Sequence, residues 1–181
     1  PKDMHLPMRV NGTNLMQRTC QLAEINSISV GFLGGKISSI KRIGEILQHQ
    51  FPGLTIAGCF YPPFGFEKDH EVNSQLIRQI NQSKPDILFV GVGFPKQENW
   101  ILDNWDALNF KVAMGIGSAI DLIAGKVKRA PRFFQRIGFE WLWRLLQEPK
   151  RLWRRYLIED MEFFKLAVIE YRKIKKARSQ K

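Results

Sequence analysis

DILFVGVGFPKQENW, residues 86–100, decides the fold class. Asp86–Val92 is a continuous apolar run, the pattern of a strand buried on both faces. Gly91 and Gly93 end it, and a helical pattern runs from Pro95 to about Asp106. Pro95 suits the first helical position, where a missing N–H costs nothing, and Glu98 suits the positive end of the helix dipole. The stretch therefore reads as a buried strand, a glycine turn and a helix.

Working outward, the same unit recurs. Ser29–Leu33 (SVGFL) is followed by Gly34–Gly35 and a helical pattern over Ile37–Gln50. Phe110–Gly115 (FKVAMG) is followed by Gly117 and a helix whose first turn holds Asp121. Leu54–Phe60 reads as a fourth strand, with a helix from about Lys68 to Gln82 after it. Thr13–Glu24 reads as a helix ahead of the first strand, with Thr13 or Asn14 able to cap it. Strands alternating with helices predict an α/β fold, a parallel sheet of Rossmann-like βαβ units. After Gly125 the pattern changes. Pro131, Gly138 and Pro149 cut the chain into short helical pieces, about Arg132–Ile137 and Phe139–Gln147, before a longer helix from about Lys150 to Lys176. The expected organisation is an α/β domain over 1–125 and a helical appendage over 126–181.

In a parallel sheet the carboxyl ends of the strands share one edge, and ligands bind outside that edge. Gly34, Gly35, Gly91, Gly93, Gly115 and Gly117 all fall there. Glycine lets backbone approach a ligand closely, and helices starting at such turns offer free N–H groups to an anion. Each glycine pair alone is also an ordinary tight turn; three on one edge point to a ligand pocket. Gly34-Gly35-Lys36 ends like a phosphate-binding loop but lacks the upstream glycine, and Ile37 stands where Ser or Thr would hold magnesium. Neither Gly91-Val-Gly93 nor Gly115-Ile-Gly117 has the third glycine of a dinucleotide fingerprint. Lys96 and Gln97 would project towards the edge, where an ammonium and an amide can hold phosphate or sugar hydroxyls. The same residues also suit a plain helix start. Asp121 would face the same crevice.

Charge separates the two parts. Residues 1–125 hold 11 Lys and Arg against 11 Asp and Glu, whereas residues 126–181 hold 17 against 6, so the whole net charge of +11 lies in the second part. Ten aromatics are interleaved there, Trp141, Trp143, Trp153, Phe163 and Phe164 among them. Aromatics and cations on one helix suit a membrane interface with anionic lipid. Arg144, Arg151 and either Arg154 or Arg155 can share a helix face, which also suits a plain solvated basic face, and a guanidinium can fork onto a diphosphate. Cys20 and Cys59 form no CxxC, and His5, His49 and His70 have no metal-ligand spacing, so neither a zinc site nor a disulfide framework is expected. There is no Asp-x-Asp and no run of about 18 apolar residues. A reduced cytosolic setting is expected. The chain opens at Pro1, consistent with a processed product or part of a longer one.

Taken in order, these motifs resemble the WecG/TagA/CpsF glycosyltransferases, glycosyltransferase family 26. The resemblance rests on Arg9-Val-Asn-Gly12-Thr-Asn-Leu15, Leu33-Gly-Gly-Lys36, Gly91-Val-Gly93-Phe-Pro95-Lys96-Gln97-Glu98 and Asp121-Leu-Ile-Ala-Gly125-Lys-Val-Lys128-Arg129-Ala130-Pro131. It continues through Gly138-Phe-Glu140-Trp141-Leu-Trp-Arg144-Leu-Leu-Gln-Glu-Pro149 and Arg151-Leu-Trp-Arg154-Arg155-Tyr156. The resemblance implies an inverting, metal-independent enzyme without a cofactor. Such an enzyme moves an N-acetylmannosamine-type sugar from a UDP donor to a polyprenyl-diphosphate-linked N-acetylglucosamine. It works peripherally at the cytoplasmic face of the plasma membrane, in teichoic acid, common antigen or capsular polysaccharide assembly. Carried over by position, Arg9 and Gln97 are the expected catalytic residues. Thr13, Gly34, Gly35, Gly93, Lys96, Gln97, Glu98, Asp121, Arg144, Arg151 and Arg154 are the expected substrate-binding residues, the three arginines approaching the donor diphosphate. Asn14 stands where the family usually has Asp, and Ile120 where it usually has Phe. The family's proposed general base, an Asp in an Asp-Gly motif, is expected upstream of Pro1. The expected partners are the UDP-sugar, the lipid-linked acceptor and an anionic membrane surface; a homo-oligomer is compatible with the sequence. Two alternatives stand beside this reading: a catalytically incomplete remnant that keeps the pocket, and a basic module for nucleic acid or other anionic surfaces. No nucleic-acid motif supports the second, so no nucleic acid is expected as a partner.

Overall fold

The computed structural model describes residues 11–128, 130–131, 133–134, 139–154 and 169, without the side chains of Arg151 and Arg154. The chain divides into two compact units, Pro1–Lys128 and Arg129–Lys181.

The first unit is built around four parallel strands, β1 (Val30–Gly34), β2 (Ile56–Phe60), β3 (Ile87–Gly91) and β4 (Val112–Gly115), in the order β2-β1-β3-β4. The central pair runs in register from Val30 beside Ile87 to Gly34 beside Gly91. Both central strands are buried throughout, which is why they read as unbroken apolar runs. Alternate residues serve opposite faces. Val30, Phe32, Ile87 and Phe89 pack with α1 (Gly12–Ile25), α2 (Ile37–Gln50) and α5 (Ala119–Ile123), the Phe32 and Phe89 rings stacked 5.3 Å apart. Leu33, Leu88 and Val90 pack on the other face with Leu76 and Ile80 of α3 (His70–Ser83) and Trp100 and Ile101 of α4 (Lys96–Asp103). The result is a three-layer α/β/α unit, as the alternation of strands and helices predicts.

The crossover from β1 to β2 runs through α2 on one face, and that from β2 to β3 runs through α3 on the other. The winding reverses between β1 and β3, and the carboxyl side of such a reversal is where open parallel sheets leave a crevice.

Several boundaries differ from the sequence expectation, each for a local reason. Asn11, not Thr13 or Asn14, caps α1, because its side-chain oxygen accepts the Asn14 N–H at 2.9 Å. The second strand starts at Ile56 because the Leu54 N–H turns back onto the Phe51 carbonyl. The helix expected from Lys68 splits into a 3-10 turn, Phe66–Lys68, and α3, since the Asp69 carboxylate accepts the Glu71 and Val72 N–H groups and starts a new helix there. Pro95 takes the cap position of α4 rather than its first turn. That helix ends at Asp103, where the Asn104 amide turns back to the Trp100 carbonyl, and a 3-10 turn, Trp105–Ala107, follows.

In the second unit α6 (Glu140–Gln147) and α7 (Pro149–Arg154) are described. Trp143 packs on Phe134 at 5.6 Å and Trp141 stacks on Phe139 at 6.1 Å, while Phe133, Leu146 and Trp153 remain exposed. Of the helix expected over 132–137, Phe133 and Phe134 are helical. Most of the longer helix expected over 150–176, with Phe163 and Phe164, lies outside the described residues. Among the described residues no helix is long and apolar enough to cross a membrane.

Candidate active site

The carboxyl ends of β1, β3 and β4 close on one another through glycine. Gly34 has φ +101° and packs so tightly that an added Cβ would lie 2.7 Å from the Gly91 carbonyl. Only glycine fits both the backbone and the space there. The Gly35 N–H then donates to the Gly91 oxygen at 3.0 Å, joining the β1 turn to the end of β3. A Cβ on Gly91 would in turn meet the Gly117 oxygen at 2.8 Å. Beside these contacts the packing opens: at Gly93 (φ +94°) and Gly117 (φ +55°) an added Cβ would meet nothing within 4 Å. The crevice edge thus combines tight backbone under the strands with open space beside two of the turns.

Two buried polar side chains hold the turns in place. Gln97, 4% exposed, accepts the Gly117 N–H on Oε1 at 3.0 Å and donates from Nε2 to Glu98 Oε1 at 2.7 Å. It therefore bridges the β3–α4 turn to the β4–α5 turn. Gly115 makes room for it, since a Cβ there would lie 2.6 Å from Gln97 Nε2 and 2.9 Å from Glu98 Oε1. Asp121, 5% exposed, accepts the Lys36 N–H on Oδ1 at 2.9 Å, so its carboxylate sits at the amino end of α2. The free helix end expected there is partly answered by the protein's own anion, as the helix dipole favours.

Lys96 is also engaged. Its Nζ lies 2.8 Å from Glu67 Oε1 and 5.1 Å from the centre of the exposed Phe64 ring. Partial burial pulls the Glu67 pKa up. The hydrogen bond from Lys96, the backbone of Glu67 itself and the charges of Lys96 and Lys68 outweigh that, and the pKa is lowered. The Phe94–Pro95 peptide bond between the β3 turn and Lys96 is cis.

Of the residues singled out from sequence, Gly34, Gly35, Gly93, Lys96, Gln97, Glu98 and Asp121 are brought to this one edge. Thr13 joins them through its neighbour: a Cβ on Gly12 would lie 3.0 Å from the Ile116 oxygen, which puts the start of α1 against the end of β4. Arg144 lies on α6 of the second unit. Arg9 and the side chains of Arg151 and Arg154 lie outside the described residues. Three features were not read from sequence: the bond from Lys36 to Asp121, the Glu67 partner of Lys96, and the space Gly115 leaves for Gln97. Only the last had a signal, a glycine closing an apolar strand. Among the described residues no three His, Cys, Asp or Glu side chains gather as a metal cluster.

A doubly wound parallel sheet with a polar, glycine-lined crevice at its switch point defines an α/β protein of the nucleotide-binding architecture. Within that class the comparisons are specific. The family model of the glycosyl transferase WecG/TagA/CpsF family matches residues 3–178, and the chain belongs to that family. An N-acetylglucosaminyldiphosphoundecaprenol N-acetyl-beta-D-mannosaminyltransferase of Staphylococcus aureus (strain MRSA252) is 34% identical over 177 residues, covering 96% of this chain and 65% of the relative. The protein of the same description from Staphylococcus aureus (strain MW2) is 34% identical over 173 residues, with the same coverage. The chain thus spans 65% of the length of these relatives.

Proposed function

We propose that this chain is the donor-binding part of a transferase that moves an N-acetylmannosamine-type sugar from UDP to a polyprenyl-diphosphate-linked N-acetylglucosamine. One observation carries the proposal: the turns after β1, β3 and β4 meet at the switch point, tied there by Gln97 and Asp121. Four of the eight polar side chains the family resemblance names for the substrate, Lys96, Gln97, Glu98 and Asp121, sit at those turns. Backbone N–H groups and helix ends suit a diphosphate, and a buried carboxylate suits a ribose or sugar hydroxyl.

The chemistry follows from this placement. The acceptor hydroxyl attacks the anomeric carbon of the donor sugar as the bond from that carbon to the diphosphate oxygen breaks, with inversion. UDP leaves with the negative charge. Arg9, Arg144, Arg151 and Arg154 are proposed to stabilise that charge, which is largest in the transition state. Gln97 orients the turns on which the donor lies. The proton of the acceptor hydroxyl passes to a carboxylate proposed to lie upstream of Pro1, a contribution of about 10²–10⁴-fold in rate.

The second unit is proposed to rest on the cytoplasmic leaflet, where the acceptor's lipid is anchored. Its excess of 9 positive charges (15 Lys and Arg against 6 Asp and Glu over 129–181) and its exposed Trp153, Leu146 and Phe133 support that reading. Enzymatic transfer is tested by supplying UDP-N-acetylmannosamine and a lipid-diphosphate N-acetylglucosamine analogue. Disaccharide formation by the chain joined to its upstream segment, with at least about a hundredfold slower turnover by residues 1–181 alone, is expected. Release of free sugar without a disaccharide would contradict it.

A further inference from the structure

The carboxyl edge of the sheet also carries an apolar rim. Among the described residues Phe64 is the most exposed large apolar side chain, fully open to solvent. It is not a loose end. Gly65, at φ +81°, turns the chain so that two neighbouring rings part: Phe66 enters the core, 5.8 Å from the Trp100 ring, and Phe64 stays outside. The Lys68 N–H closes that turn on the Gly65 carbonyl at 2.9 Å, and the Glu67–Lys96 pair at 2.8 Å ties the loop to α4. Phe64 is therefore displayed on an anchored tip, with the Lys96 ammonium 5.1 Å from its ring centre.

Its neighbours along this edge are of the same kind. Tyr61 follows the end of β2, Phe94 lies in the turn after β3, and Ile37 opens α2 after the turn from β1; all three are exposed. Parallel strands bring these turns to one edge. Exposed lysines stand among them, Lys36 beside Ile37 and Lys68 beyond Gly65. Of the carboxylates on the loop, Glu67 is paired with Lys96 and Asp69 caps α3. Four such side chains, three of them partly covered, offer less than the ~800 Å² per partner that a stable protein interface buries. Rings on separate loop tips with ammonium groups between them suit a lipid surface instead, the rings entering the headgroup boundary and the cations staying at the phosphates.

We propose that this rim seats the mouth of the crevice on a lipid bilayer, with Phe64 inserted at the headgroup boundary, so that the first unit has a membrane contact of its own beside that of the basic second unit. The inference rests on the acceptor proposed above, whose lipid lies in the bilayer while its diphosphate must reach this same edge.

Partition of the whole chain onto phosphatidylglycerol–phosphatidylcholine vesicles is measured by co-sedimentation at low and high salt. Tm is read on the same samples, for the wild type, Phe64→Ala, Phe64→Trp and Leu102→Ala. Leu102 is the control, an apolar side chain 70% exposed near the far end of α4, which runs back from the carboxyl edge. Phe64→Ala is expected to lower the partition constant about three- to tenfold at both salt concentrations, with Tm unchanged. Phe64→Trp is expected to restore it, and Leu102→Ala to leave it at the wild-type value. Persistence of the loss at high salt separates this contact from one made by charge. Phe64→Ala that partitions like the wild type at both salt concentrations overturns the proposal. So does an equal loss in Leu102→Ala, or a loss that Phe64→Trp does not restore. Self-association that Phe64→Ala abolishes while vesicle binding is kept assigns the rim to a second copy of the chain and overturns it too. Partition is read without nucleotide or acceptor, so a failure to form disaccharide refutes the transferase reading separately.

Discussion

At the scale of single residues, the site is a set of small bonds whose loss is separable. Asp121→Ala removes the buried carboxylate whose Oδ1 accepts the Lys36 N–H at 2.9 Å. A loss of about 1–3 kcal/mol of stability is expected, read by urea denaturation, together with weaker UDP binding. Gly115→Ala drives a methyl to within 2.6 Å of Gln97 Nε2, and Gln97 cannot yield without releasing Gly117. It is expected to cost about 1–3 kcal/mol and to reduce the nucleotide-induced rise in Tm. Gly125→Ala is the control, since its methyl meets nothing within 4 Å and only the positive φ opposes it. A nucleotide response equally reduced in both variants would show that the Gln97 bridge is not what organises the crevice. The glycines were visible in the sequence because a strand must end before a turn. The partners of Gln97, Asp121 and Lys96 were not, because hydrogen bonds across 20 to 85 residues of chain leave no local pattern.

At the scale of elements, β1, β3 and β4 are also tied at their amino ends. Asp86 accepts the Ser29 N–H and hydroxyl, each at 2.8 Å, and pairs with Lys111 at 2.8 Å. The Lys111 bond first, and then the Ser29 bonds, lower the Asp86 pKa to about 2. A lowered carboxylate pKa means that folding favours the charged form. The stabilisation is complete above the unfolded value of about 4 and is lost as pH falls towards about 2. Tm is therefore expected to drop between pH 4 and 2, and the drop is expected to be smaller in Asp86→Asn. Identical acid profiles would remove Asp86 from the account. Periodicity identified these strands and the helices between them because each buries a regular apolar face. It misplaced the ends of α3 and α4, where Asp69 and Asn104 decide, since one side-chain bond outweighs the weak preference of the neighbouring residues.

At the scale of the molecule, composition divides the chain much as its packing does, with neutral residues 1–125 followed by a strongly basic remainder. If the second unit meets a membrane through charge and aromatics together, vesicles containing phosphatidylglycerol should bind the protein and release it as salt rises. Trp153→Ala should weaken that binding without changing its salt dependence. Equal binding to neutral vesicles would refute the electrostatic part. The central claim, that the carboxyl edge of the sheet holds a UDP-linked sugar, is tested most directly by hydrogen exchange. Amide exchange is followed with and without saturating UDP-N-acetylhexosamine. The account predicts slowed exchange at 34–37, 91–98 and 115–121, and no comparable effect of ATP. Protection confined to the outer face of α3, or none at any of the three turns, would contradict it.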